Sequence, residues 1–195
     1  MNISLFKSGE ESRISISEIT IQDFLNKVKF GEWKELIEAI REEENHEVQT
    51  ALKRKLVGVT ISGTFDTRGK GLLKTHSGFI CMDFDKVQNL EDNIEKIKAD
   101  PYTYALAKSA SGKGFFAFVK VNPNKHEECF NFLASYYYET YGLSVDRAPQ
   151  SVASLRFASY DPDLYINEKS NKAKAKATPK RKPKKLGVVL TGASE

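Results

Sequence analysis

The sequence predicts an α+β fold, a mostly antiparallel sheet with helices on one side. Three observations carry that prediction. From residue 56 onward, apolar runs of period two alternate with runs of helical period, in the order strand, strand, helix, strand, strand, helix, strand. A glycine turn, "SGKG", separates two of the strand-like runs, as in a hairpin. Finally, 40% hydrophobic and 11% aromatic residues supply the apolar surface for a packed core in a chain of 195 residues.

The elements follow in order. "NISLF" and "RISISEITI" alternate as strands do, and "SEITIQDFLNKVKFG" then turns helical, with Ile21, Phe24, Leu25 and Val28 on one stripe and Gly31 as its stop. "EWKELIEAIREEEN" repeats the helical stripe with Trp33, Leu36, Ile37 and Ile40. "VGVTISGTF" reads as a strand broken at Gly63, followed by the loop "DTRGKGLLKTHS" and the strand "GFICMDFDKV". A helix over "NLEDNIEKIKAD" closes at Pro101. "TYALAKSA" and "FFAFVKV" form the hairpin, and "KHEECFNFLASYYYETYG" is a long helix ended by Gly142. "LSVD" and "SLRFASYD" are short strands or extended pieces, and "DPDLYIN" is an exit turn. Residues 1–49 form a strand-and-helix extension packed on a core of 50–167. Residues 168–195, rich in Lys, Ala and Pro, form a disordered basic tail.

Charge is unevenly placed. The tail holds nine lysines and arginines against two glutamates, while the whole chain carries +4, so the body is mildly acidic. Lys180, Arg181, Lys182, Lys184 and Lys185 make the densest cluster and predict contact with nucleic-acid phosphates. Two cysteines, Cys81 and Cys129, make no disulfide framework and read as small core residues of a reducing compartment. "MNISLFKSGEESR" has no apolar signal core, and no run approaches a membrane span. The sequence predicts a soluble, cytoplasmic protein with no membrane partner.

The chemistry concentrates in "GFICMDFDKV". Asp83 and Asp85 sit two apart on an apolar strand, so both point to one face, where they repel each other and lose hydration. Capping of the next helix at Asn89 would explain one aspartate more easily than a pair. Divalent cations compensate two such carboxylates, and Mg²⁺ accepts one or two of them plus phosphate oxygens. "DFDKV" also fits the D-x-D-x-V of haloacid-dehalogenase phosphatases, but neither "SVDRAP" nor "YDPDLY" supplies that family's downstream acidic pair. "SASGKG" is not a P-loop, because Ala107 stands where its first glycine is needed and Gly114 follows Lys113. It reads either as an ordinary hairpin turn or as a phosphate-facing one.

Taken together, "VGVTISGTF", "HSGFICMDFDK", "SASGKG" and "SLRFASYDPDLYIN" resemble the archaeo-eukaryotic primase superfamily, most closely the VirE N-terminal domain family of primase-polymerase-like proteins. The resemblance covers roughly residues 50–167 and implies an RRM-like sheet with flanking helices. It implies Asp83, Asp85 and Asp146 as ligands of Mg²⁺ or Mn²⁺ and as the catalytic carboxylates. Ser109, Ser111, Gly112, Lys113, Gly114 and Arg156 would face a nucleoside triphosphate. Arg156 could equally pair with Asp146 or Asp161. The implied activity is template-directed nucleotidyl transfer in DNA replication, for a phage or bacterial mobile element. Its partners would be single-stranded DNA or a template-primer and a separate helicase. That superfamily carries a histidine on the strand after the glycine turn, where this chain has Phe115 and Phe116, one of which should face Asp83. The alternative is a catalytically inactive nucleic-acid-binding protein that retains the fold.

Overall fold

The computed structural model describes residues 1–174, and the cluster from Lys180 to Lys185 lies outside them. Along the chain run β1 (Asn2–Phe6), β2 (Ser17–Thr20), α1 (Ile21–Phe30), α2 (Lys34–Glu42), α3 (His46–Lys55), β3 (Gly58–Thr60), β4 (Gly63–Thr64), β5 (Thr75–His76) and β6 (Phe79–Phe84). They are followed by α4 (Leu90–Lys98), β7 (Thr103–Lys108), β8 (Phe115–Lys120), α5 (His126–Tyr141), β9 (Arg156–Phe157) and β10 (Tyr165–Ile166). A first sheet has the order β2-β1-β3-β9, a second β10-β7-β8-β6, and β4-β5 is a two-stranded ribbon. All these strand pairs are antiparallel.

The second sheet is buried on both faces. Ile80, Met82 and Phe84 of β6, with Phe115, Ala117 and Val119 of β8, pack against α4 and α5. Alternate residues Phe79, Cys81, Phe116 and Phe118 pack against α1 and the first sheet, through Phe24, Leu25, Val28 and Val59. The expected arrangement, helices on one side only, is therefore incomplete. Period-two apolar runs on both strand faces allow either a solvated or a covered second face, and here the N-terminal strands and α1 cover it. Each large side chain sealed this way contributes about 1.5–3 kcal/mol.

Local signals set the helix ends. Thr20 and Asp23 form a reciprocal capping box at α1, and Gly31 closes it at φ 83°. Gly142 closes α5 at φ 69°. α3 departs from expectation. Its only fully buried side chain is Gln49, whose amide donates to the carbonyl of Ile40 at 2.8 Å and so helps end α2. No apolar stripe announces such a helix, although Asn45 caps it by accepting from the backbone of Glu47 and Val48. The expected boundary at residue 49/50 falls inside it.

Two further expectations shift. "LSVD" forms no strand; Leu143 and Val145 rest half-buried against the α4–α5 cluster. The stretch just after 167 is packed rather than loose. Ala173 is 1% exposed and donates its backbone N–H to Lys120, and the Lys120 ammonium donates to the carbonyls of Glu168 and Ser170. Cys81 and Cys129 are free and buried, as expected of core residues. Among the described residues no helix is long and apolar enough to cross a membrane.

Candidate functional site

β6 is an edge strand, and its C-terminal end opens onto a cleft of about 290 Å³. The hairpin turn after β7 closes one side. Gly114 lets β8 start directly against β6, since a Cβ there would lie 2.1 Å from the carbonyl oxygen of Phe84. The turn is drawn shut by Ser109 N–H, which donates to Gly114 at 2.8 Å, and by Gly112 at φ 69°. Its hydroxyls, on Ser109 and Ser111, stand 3.4 Å apart. On the other side Asp146 N–H donates to the carbonyl of Asp83 at 2.9 Å, fixing a third carboxylate beside the first two.

Asp83, Asp85, Asp146, Ser109, Ser111 and Arg156 thus line one cleft. Asp85 and Asp146 are exposed, while Asp83 and Arg156 are 19% and 10% exposed in their side chains. Neither Asp83 nor Asp85 caps α4, whose N-cap Asn89 makes no side-chain cap bond. Gly112, Lys113 and Gly114 complete the turn, with Lys113 exposed and its carbonyl accepting from Val87.

The electrostatics differ from expectation in one respect. Arg156 pairs with neither Asp146 nor Asp161; its Nη1 donates to Asp83. Asp161 is occupied by the backbone N–H groups of Lys108 and Asp163. The guanidinium lies 3.6 Å over the ring of Phe116, and its Nε has no hydrogen-bond partner among the described residues. Burial lowers the pKa of Arg156 and pushes the Cys81 thiol up to about 11.

Two cations were not legible in the sequence. Lys53, on α3, reaches the cleft, where burial lowers its pKa, Asp85 opposes that shift, and Lys113 and Lys86 add to it. Arg41, on α2, donates to the carbonyls of Ser109 and Tyr160 and so ties the glycine turn to the N-terminal helices. The only available signal for Lys53 was the capped start of α3.

Phe116 pairs with Asp83 across the sheet and is the aromatic on the cleft face, whereas Phe115 stacks on Phe84 at 4.7 Å inside the helix-side core. Both are fully buried, so neither offers a loose position. The histidines serve elsewhere. Gly78 N–H donates to His76 Nδ1, so the neutral His76 ring carries its proton on Nε2 and donates to His126 Nδ1 at 3.0 Å; His126 Nε2 donates to the carbonyl of Pro149.

Three carboxylates with serine hydroxyls, and no soft donor open to the cleft, are a ligand set for a hard divalent ion such as Mg²⁺ or Mn²⁺. Their geometry as it stands is not ready for one. Among the described residues no group of three His, Cys, Asp or Glu side chains is arranged to hold a metal ion, and Arg156 occupies Asp83.

The fold and cleft define a class: an α+β protein with carboxylates and cations gathered at a sheet edge between two antiparallel sheets. The chain belongs to the family described as BT4734-like, N-terminal domain, whose model matches residues 51–166, more than half of its length. That match corrects the expected membership in the VirE N-terminal domain family and the primase-polymerase group. The four stretches that suggested it are short, and strand-end aspartates beside a glycine turn recur in unrelated folds. Comparisons with curated proteins and with solved structures gave no match.

Proposed function

We propose that this cleft binds a nucleoside triphosphate with Mg²⁺ or Mn²⁺ and performs template-directed nucleotidyl transfer on single-stranded or primed DNA. The observation that carries the reading is the gathering of Asp83, Asp85 and Asp146 with Ser109, Ser111, Lys53 and Arg156 in one cleft. The strand–helix–strand–strand–helix order from β6 to α5 supports an RRM-like reading, whereas β10 lies beside β7 and leaves β6 at the edge, where an RRM-like sheet would place its fourth strand. A divalent ion held by these carboxylates would supply charge neutralisation for the triphosphate and Lewis-acid activation of the attacking hydroxyl. Asp85 and Asp146, both solvent-facing, supply carboxylate oxygens without any core rearrangement. The Ser109 and Ser111 hydroxyls donate to phosphate oxygens, and Lys53 and Arg156 offset the charge that builds up there.

The test is Mn²⁺ titration followed by extension of a primed template. Asp85→Asn and Asp146→Asn should each weaken Mn²⁺ binding by about tenfold or more, with the melting temperature unchanged because both side chains are exposed. Absence of Mn²⁺ binding to the parent protein would overturn the proposal. A second reading, a non-catalytic nucleic-acid-binding protein, is favoured by the Arg156–Asp83 pair and the phenylalanine at the cleft. It takes first place if nucleotide and metal fail to bind while single-stranded DNA still does.

A further inference from the structure

We infer that Arg156 is an exchangeable counter-ion, which holds Asp83 in the empty cleft and moves to phosphate when Asp83 is drawn onto a cation. The inference rests on the proposed metal–nucleotide site and specifies how its two ligands are coupled.

Three features of the residue point to exchange rather than to a fixed strut. The pair neutralises the one carboxylate of the three that is largely buried, leaving Asp85 and Asp146 open to solvent. The guanidinium is held from below by the Phe116 ring at 3.6 Å, a contact that needs no partner at Asp83 and persists if the head group pivots. Nε is buried without a hydrogen-bond partner among the described residues, so a donor is unspent on a side chain that also lines the cleft. Buried donors are ordinarily hydrogen-bonded. A triphosphate oxygen would satisfy it, with the planar fork suited to two contacts at once.

The consequence is reciprocal. Arg156 on Asp83 weakens cation binding, and Arg156 on phosphate strengthens nucleotide binding, so each ligand favours the other through one side chain. Arg156→Gln keeps most of the volume and removes the charge. It should bind Mn²⁺ alone about fivefold or more tightly than the parent, and bind a non-hydrolysable nucleoside triphosphate with saturating Mn²⁺ about fivefold or more weakly. An arginine serving only the fold would weaken both. Nitrogen-15 NMR of the guanidinium separates exchange from a static field. Slow rotation of the Arg156 head group, expected in the ligand-free protein, should be lost on Mg²⁺ saturation and return with nucleotide. Unchanged Arg156 signals while Asp85 and Asp146 amides shift would overturn the inference and leave the proposed function standing. Failure of every amide to respond to Mg²⁺ would overturn both.

Discussion

Asp83 and Arg156 constrain each other at the level of single side chains. Removing the carboxylate alone leaves a guanidinium that is 10% exposed with no counter-charge, and breaking such a pair costs about 3–5 kcal/mol. Asp83→Ala should therefore lower unfolding stability by about 3 kcal/mol in urea. The double variant Asp83→Leu with Arg156→Met should recover most of that, since apolar replacements of similar volume often match a buried ion pair. A single variant as stable as the parent would show that the pair is not sequestered from water. Local sequence pattern gives no sign of this pairing, because the partner of Asp83 lies 73 positions away and is not encoded locally. What local pattern does reveal is the same-face spacing of Asp83 and Asp85 and the glycine turn. Lys53 and Arg41 were hidden because they come from helices outside the motif-bearing stretch.

Helices and strands explain the rest of that unevenness. α1, β6, β7, β8 and α5 were readable because their apolar period matches their structure. α3 was not, because it buries a glutamine rather than an apolar stripe. At this scale the histidines matter. The chain Gly78–His76–His126–Pro149 fastens the start of α5 to the turn that follows Asp146. Burial and the neighbouring His126 lower His76 to about 4; burial lowers His126, against the backbone contacts of Pro149 and Gln150 and the charge of Glu127. Both rings are thus neutral when folded at neutral pH, and the unfolded chain takes up protons first. Stability is fully present above about pH 6.5 and is lost as pH falls toward 4. Thermal melting should show a falling midpoint across that window. The fall should be shallower in His76→Asn, whose carbonyl oxygen can still accept from Gly78. An identical pH profile in the variant would remove the pair from the account.

For the molecule as a whole, the order of residues 168–174 against β8 divides the basic C-terminal region into two parts. Deleting 175–195 removes Lys176, Lys180, Arg181, Lys182, Lys184 and Lys185 while sparing Ala173 on the core. The truncated protein should melt as the parent does. It should bind single-stranded DNA more weakly and with a flatter salt dependence, each lost phosphate contact removing about 0.7 from the slope. Deletion from residue 168 should instead lower the melting point, because Ala173 leaves the cluster containing Val121 and Cys129. Equal salt slopes in the parent and the shorter deletion would exclude the segment from DNA contact. Composition revealed the charge of this region but not the packing of residues 168–174, since alternating Lys and Ala give no apolar period.

The edge position of β6 has a consequence of a different kind. "FICMDF" is short, apolar and rich in strand formers, the composition that recruits strands from other chains when it stands at a sheet border. Its outer side is interrupted where Asp146 N–H donates to the carbonyl of Asp83, and the exposed carboxylates of Asp85 and Asp146 stand at its end. Carboxylates that line the cleft thus also place charge where an added strand would have to pair. Apolar replacements there would convert the site into a self-adhesive border, so selection against aggregation alone would preserve charge at these positions in copies that had lost every ligand.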